Sequence, residues 1–143
     1  MSELTRSKLR IMLVENDEDD AFFVRRALTQ AGYIQPFIRQ HNGKEAVEYF
    51  QKAVNSTSII LPHIVLMDVK MPVMDGFGVL RWLREESPFK DLPVIMLTSS
   101  NAPSDLNTSQ RLGIFQFITK RVHYDNVIEA LDLFLASAKG KTS

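Results

Sequence analysis

The chain has 143 residues, the length of one ordinary domain, and its 17 acidic and 17 basic side chains leave no net charge. This balance argues against nucleic-acid binding and membrane-surface binding, because both favour a positive surface. The absence of cysteine excludes disulfides, thiolate nucleophiles and cysteine-ligated zinc. Without a signal-like N-terminus or an apolar run long enough to span a bilayer, we expect a cytoplasmic protein.

Short apolar runs predict the strands of a sheet. Four of them are Ile11–Val14, Ile64–Met67, Val94–Leu97 and Ile114–Ile118. The first three are unbroken, as is typical of parallel strands that helices cover on both faces. Phe37–Ile38 is a weaker fifth candidate. Pro36 lacks the N–H that strand pairing uses, so we expect this strand at the edge of the sheet.

Between these runs, apolar residues recur at helical spacing. The positions are Ala21, Val24, Leu28 and Ala31 in the first helix, which Gly32 ends, then Ala46, Val47 and Phe50, then Val79, Leu80 and Leu83. The fourth helix is predicted over Ser104–Leu112 and the fifth over Tyr124–Ala136, with a longer loop at Val54–Leu61. Strand and helix thus alternate five times, which predicts an α/β domain with a doubly wound parallel sheet. We expect one domain over residues 1–143, with its core at 9–136 and a frayed polar tail at 137–143.

Polar side chains follow the predicted strands where each strand ends. They are Glu15, Asn16 and Asp17 after the first, Asp68 after the third, Thr98 after the fourth and Lys120 after the fifth. The carboxyl ends of parallel strands meet at one edge of a sheet, so we expect carboxylates to converge there. Converging carboxylates need a cation, and Mg²⁺ binds one or two carboxylates together with water and a phosphoryl oxygen.

Asp68 is the central candidate of this group, because a carboxylate that closes an apolar strand is poorly solvated without a partner. A carboxylate can attack phosphorus and form an aspartyl phosphate. Thr98 offers a hydroxyl donor and Lys120 a positive charge for the phosphoryl oxygens. The acidic run Asp17–Asp20 has a simpler use, with Asp19 or Asp20 predicted to cap the first helix.

Four segments together resemble the receiver domain of bacterial two-component response regulators. They are Ile11–Glu15, Ile64–Gly76, Val94–Ser100 and Phe117–Lys120, and the resemblance runs from about Leu9 to Ala136. It implies a flavodoxin-like fold of five β-α units with strand order 2-1-3-4-5. The loop before the third strand is similar to that of small stand-alone receivers linked to bacterial phytochrome kinases.

The same resemblance implies roles for the strand-end residues. Asp68 would accept a phosphoryl group from a phosphohistidine of a sensor histidine kinase, with Mg²⁺ as the required cofactor. The metal ligands would be Glu15, Asn16, Asp68 and the backbone carbonyl of Lys70. Thr98 and Lys120 would contact the phosphoryl group, and Thr98 with Phe117 would form the switch.

The implied output is a changed surface rather than an enzymatic product. Apart from its own phosphorylation and dephosphorylation, the chain is expected to catalyse nothing. A downstream protein would read the face formed by the fourth helix, the fifth strand and the fifth helix. We expect a monomer or a weak homodimer that binds neither nucleic acid nor membrane.

Two departures from the receiver pattern keep an alternative open. Asn16 replaces an acidic residue, and Arg121 stands where a proline in a cis peptide usually follows the lysine. Both favour a pseudo-receiver, an interaction module that works without phosphorylation. The joint presence of Asp68, Thr98 and Lys120 favours the active form. Of the two candidate ligands beside Glu15, we favour Asn16 over Asp17.

A phosphatase of the haloacid-dehalogenase type is excluded, because it needs a second aspartate two residues after the nucleophile. That position is Lys70.

Overall fold

The computed structural model describes residues 3–99, 107–108, 110–120 and 124–140. Within these ranges the strands are β1 (Ile11–Val14), β2 (Ile38–Gln40), β3 (Ile64–Asp68), β4 (Val94–Thr98) and β5 (Gln116–Thr119). The complete helices are α1 (Glu18–Gln30), α2 (Gly43–Val54), α3 (Gly76–Glu85) and α4 (Asp125–Gly140). Residues 107–108 and 110–111 are also helical and lie within the predicted fourth helix. Residues 104–106 and 109 of that predicted helix lie outside the described ranges. No helix in the described part of the chain is long and apolar enough to cross a membrane.

All five strands are parallel and form one sheet in the order β2-β1-β3-β4-β5, so the predicted flavodoxin-like topology is confirmed. The position of β2 at the edge agrees with the expectation from Pro36. The register aligns the carboxyl ends of the inner strands, since Val14 pairs with Met67 and Asp68 pairs with Leu97. This alignment determines which side chains share one edge.

The core lies on both faces of the sheet, because alternate strand residues point to opposite sides. Ile11 and Leu13 of β1 pack in the cluster that contains the buried residues of α1 and α4, whereas Met12 and Val14 pack with those of α2 and α3. Every residue of β3 and β4 is buried. Their unbroken apolar sequences therefore reflect burial on both faces.

The ends of several elements differ from the predictions. β5 begins at Gln116 rather than Ile114. β2 extends to Gln40, because Arg39 and Gln40 at the sheet edge pair with Leu13 and Val14 through their backbone and need no apolar side chains. α4 continues to Gly140, so residues 137–140 of the predicted tail are helical, and residues 141–143 lie outside the described ranges. This part of the sequence has no proline, and alanine and lysine favour the helix.

The cap of α1 also corrects a prediction. Asp17, not Asp19 or Asp20, is the N-cap residue: its backbone is extended, and its side chain accepts the N–H of Asp20 at 2.9 Å. The helix begins one residue later, so Asp19 and Asp20 lie in its first turn. A run of four acidic residues does not by itself show which one precedes the helix.

Candidate functional site

The carboxyl edge of the sheet brings four predicted site residues together. Asp68 and Thr98 are the last residues of β3 and β4, Glu15 follows β1, and Lys120 follows β5. Only small fractions of Glu15 (1%), Asp68 (7%) and Thr98 (1%) are exposed. Buried ionised groups need partners of opposite charge, so the contacts of these residues determine what the site can do.

The ammonium group of Lys120 lies among three carboxylates. Its Nζ is 2.7 Å from Glu15 Oε1, 3.0 Å from Asp20 Oδ2 and 3.4 Å from Asp68 Oδ2. The two shorter contacts are hydrogen bonds. One ammonium thus faces three carboxyl groups, an excess of acidic groups that a further cation can offset.

The pKa values of this cluster reflect burial and charge. Burial and the nearby Asp68 raise the pKa of Glu15 to about 7, although the hydrogen bond from Lys120 opposes this shift. Burial lowers the pKa of Lys120, but its hydrogen bonds to Glu15 and Asp20 outweigh that effect, and the pKa is raised above its ordinary value. Lys120 therefore stays charged, as a partner for anions must.

Glu15 is held from two sides, by the loop between β1 and α1 and by Arg39 of β2. The N–H of Asp17 donates to Glu15 Oε2 at 3.2 Å. Arg39 of β2 donates to the backbone carbonyl of Glu15 from Nε at 3.0 Å and from Nη2 at 2.5 Å. Asn16, between these anchors, is exposed. Asp17 is engaged as the cap of α1, whereas Asn16 has no capping role.

A backbone hydrogen bond fixes the loop after Asp68. Gly76 donates its N–H to the carbonyl of Val69 at 2.9 Å. A side chain at Gly76 would collide with the carbonyl of Asp68, so only glycine permits this approach of α3. Lys70, the predicted carbonyl ligand, lies in this loop with an exposed side chain.

Thr98 and Phe117 lie on the adjacent strands β4 and β5. The carbonyl of Thr98 accepts the N–H of Lys120 at 2.6 Å, which joins the two strand ends. Phe117 is half-buried, pairs with Met96 in the register, and packs against the core cluster of α2 and α3. Ser100 and Arg121 lie outside the described residues.

A family model of the response regulator receiver domain matches residues 11–132 of this chain. The chain belongs to the response regulator receiver family. Receivers of two-component systems are generally signalling modules rather than enzymes, and phosphoaspartate and magnesium are general features of the family.

Individual relatives agree with this assignment. The sensory transduction protein BceR of Halalkalibacterium halodurans is 28% identical over 134 residues, which are 94% of this chain but only 53% of that longer protein. The structure of the bacteriophytochrome response regulator AtBRR is 31% identical, with a TM-score of 0.73, and the match covers 87% of this chain and 91% of that one. The Mn²⁺-bound form of the response regulator Rcp1 is 25% identical, with a TM-score of 0.70 and coverage of 92% and 90%.

The donor set of this receiver fits a magnesium ion. Among the described residues, no group of three or more His, Cys, Asp or Glu side chains has the arrangement of a metal site. The set is instead two buried carboxylates, Glu15 and Asp68, both already in contact with the cationic Nζ of Lys120. Mg²⁺ typically binds through one or two carboxylates and completes its shell with water and phosphate oxygens. The carboxylates of this receiver meet that requirement.

Two residues of the site were not predicted from the sequence. Asp20 contacts Lys120 from the first turn of α1, and Arg39 holds the carbonyl of Glu15. For Asp20 there was a signal, since the first turn of the first helix lies at the same edge as the strand ends. Arg39, in an edge strand of mixed sequence, had none.

Proposed function

We propose that this receiver accepts a phosphoryl group on Asp68 from the phosphohistidine of a sensor histidine kinase. The supporting observation is the contact of one ammonium, Lys120 Nζ, with both Asp68 and Glu15 at the edge of the sheet. Phosphoryl transfer depends mainly on positioning and on charge compensation, and these side chains supply both.

In the proposed reaction, an Oδ atom of Asp68 forms the new bond to phosphorus. The bond from phosphorus to the kinase imidazole breaks, and its electron pair stays on the imidazole nitrogen. Lys120 offsets charge on the phosphoryl oxygens, and the Thr98 hydroxyl donates to one of them. Glu15, Asn16, Asp68 and the carbonyl of Lys70 would hold Mg²⁺, which supplies further charge neutralisation when bound.

The output would be a contact between proteins. Phosphorylation would change the face formed by the predicted fourth helix, β5 and α4, and a downstream protein would bind the altered face. The cytoplasm is the proposed location, where such a kinase would present its phosphohistidine.

A phosphorylation-independent interaction module is the second candidate. Asn16 supports it, because an amide brings no charge to a metal site that otherwise has two buried carboxylates. The two candidates differ in one chemical outcome, the formation of a phosphoryl bond at Asp68.

Intact mass spectrometry after incubation with acetyl phosphate and Mg²⁺ separates them. The wild type should gain one phosphoryl group that hydroxylamine removes, as expected of an acyl phosphate. Asp68→Asn should gain none, because an amide is a poor nucleophile. Asp91→Asn, a change at an exposed loop residue, is the matched control and should be labelled like the wild type. A wild type that stays unlabelled, or an Asp68→Asn variant labelled equally, would contradict the proposed function.

A further inference from the structure

Lys120 is held by an acidic residue that does not belong to the strand ends. Its hydrogen bonds go to Glu15 Oε1 at 2.7 Å and to Asp20 Oδ2 at 3.0 Å, whereas Asp68 Oδ2 lies at the longer ion-pair distance of 3.4 Å. An ammonium group has three N–H donors. Two of them are thus engaged by Glu15 and Asp20, and the second of these contacts holds the ammonium beside α1.

The position of Asp20 follows from the cap of α1. Asp17 Oδ1 accepts the N–H of Asp20 at 2.9 Å, and the N–H of Asp17 donates to Glu15 Oε2 at 3.2 Å. Asp17 therefore links the carboxylate of Glu15 to the backbone of Asp20, the two residues that bind the ammonium. Since 40% of the Asp20 side chain is exposed, hydrogen bonding rather than close packing places it.

We propose that Asp20 is a positioning residue: it holds the Lys120 ammonium beside α1 and leaves Asp68 accessible to Mg²⁺ and to the phosphoryl group. The proposal rests on the proposed function of Asp68. Without the Asp20 carboxylate, the freed N–H donor turns to Asp68, and the ammonium then competes with the metal for that carboxylate. The competition matters in this chain because Asn16 adds no charge to attract the metal.

A double-mutant cycle with Lys120 tests this arrangement through Mg²⁺ affinity, measured by titration calorimetry without any phosphoryl donor. In the wild-type background, Asp20→Asn should weaken Mg²⁺ binding about threefold or more, the size expected for a partly exposed ion pair. In a Lys120→Gln background the same change should weaken it less than about twofold, because no ammonium remains to move. Lys120→Met provides a second background if the glutamine variant is unfolded.

Two further variants separate positioning from charge. Asp19→Asn removes the same charge from an exposed neighbour in the same turn and should change the affinity less than about twofold. Asp20→Glu keeps the carboxylate and should restore most of the affinity.

Equal weakening by Asp20→Asn in both backgrounds would overturn the proposal, because the charge alone would then account for the effect. So would unchanged affinity in the wild-type background, or no measurable Mg²⁺ binding by the wild type. A wild type that binds Mg²⁺ and shows this coupling but takes no label from acetyl phosphate would refute the proposed function and not the role of Asp20.

Discussion

Asn16 and Asp17 are neighbours in the loop that begins α1, but they differ in their contacts. The carboxylate of Asp17 accepts the N–H of Asp20, whereas Asn16 is exposed beside the buried Glu15. An amide oxygen can coordinate Mg²⁺ but contributes no charge, so affinity for the metal should be low before phosphorylation. The missing charge also reduces repulsion toward an incoming phosphoryl group.

These contacts predict different effects of substitutions at the two positions. Asn16→Asp should tighten Mg²⁺ binding about tenfold, which corresponds to about 1.4 kcal/mol, because it adds a carboxylate to the metal site. Asp17→Ala should weaken Mg²⁺ binding by no more than about threefold, because the cap that places Asp20 is lost, and should lower the free energy of unfolding by about 1 kcal/mol. Titration calorimetry and urea unfolding measure the two effects. Loss of Mg²⁺ binding in Asp17→Ala would instead identify Asp17 as the ligand.

At the scale of elements, the segment before β1 ties the end of α1 to the middle of α4. Arg6 donates to both carboxylate oxygens of Asp132 in α4, at 2.9 and 2.5 Å, and to the carbonyl of Ala31, the C-cap residue of α1, at 2.6 Å. The buried Tyr33 donates its hydroxyl to the same carboxylate at 2.6 Å. Burial raises the pKa of Asp132, but the hydrogen bonds from Arg6 and Tyr33 outweigh it, and the pKa is lowered from its ordinary value.

This shift predicts a pH-dependent contribution of Asp132 to stability. Because its pKa is lower in the folded chain than in the unfolded chain, the stabilisation is complete above the unfolded pKa and is lost as pH falls through the folded one. Asp132→Asn should therefore lower the free energy of unfolding by about 1 kcal/mol at neutral pH, a value reduced by solvent screening. The difference from the wild type should shrink below about pH 4 and vanish in stronger acid.

Urea unfolding at several pH values measures this difference. Glu129→Gln, a neutralised and exposed acid on the same helix, is the control and should show a small, nearly constant difference. A difference in the free energy of unfolding between wild type and Asp132→Asn that stays constant at acidic pH would mean that the carboxylate contributes no charge-dependent stabilisation.

The elements differ in how far their sequences determine them. β3 and β4 could be predicted because both faces are buried, which leaves an unbroken apolar run. The limits of β2 could not, because Arg39 and Gln40 belong to an edge strand through backbone pairing alone. The four strand-end side chains of the site followed from the parallel topology. The contact of Asp20 with Lys120 did not, because it depends on the residue at which α1 begins, and the acidic run allows several.

At the scale of the whole molecule, the site and the proposed output face meet at β5, which pairs with β4. Thr98 ends β4 at the site, and its carbonyl accepts the N–H of Lys120 at 2.6 Å. Phe117 lies on the neighbouring strand, half-buried against the α2 and α3 cluster. A movement of the Thr98 hydroxyl toward a phosphoryl group would leave space that the Phe117 ring can enter, and an aromatic ring that changes burial alters the adjacent surface.

This coupling predicts how far the effect of phosphorylation spreads. In amide NMR spectra with acetyl phosphate and Mg²⁺, the wild type should show shifts in the loop after Asp68 and also in β4, β5 and α4. Phe117→Ala should accept the phosphoryl group but confine the shifts to the surroundings of Asp68, because no ring remains to move.

The control is Phe23→Ala, which removes a half-exposed phenylalanine of α1 and should keep the wild-type pattern. Shifting the equilibrium between the two positions of the Phe117 ring requires a few kcal/mol. Two charge-assisted hydrogen bonds to the phosphoryl group, of about 1.5–3 kcal/mol each, can supply it. If the wild-type shifts stay within the loop after Asp68, the site and β5 are not coupled, and the output must use a surface beside the phosphoryl group itself.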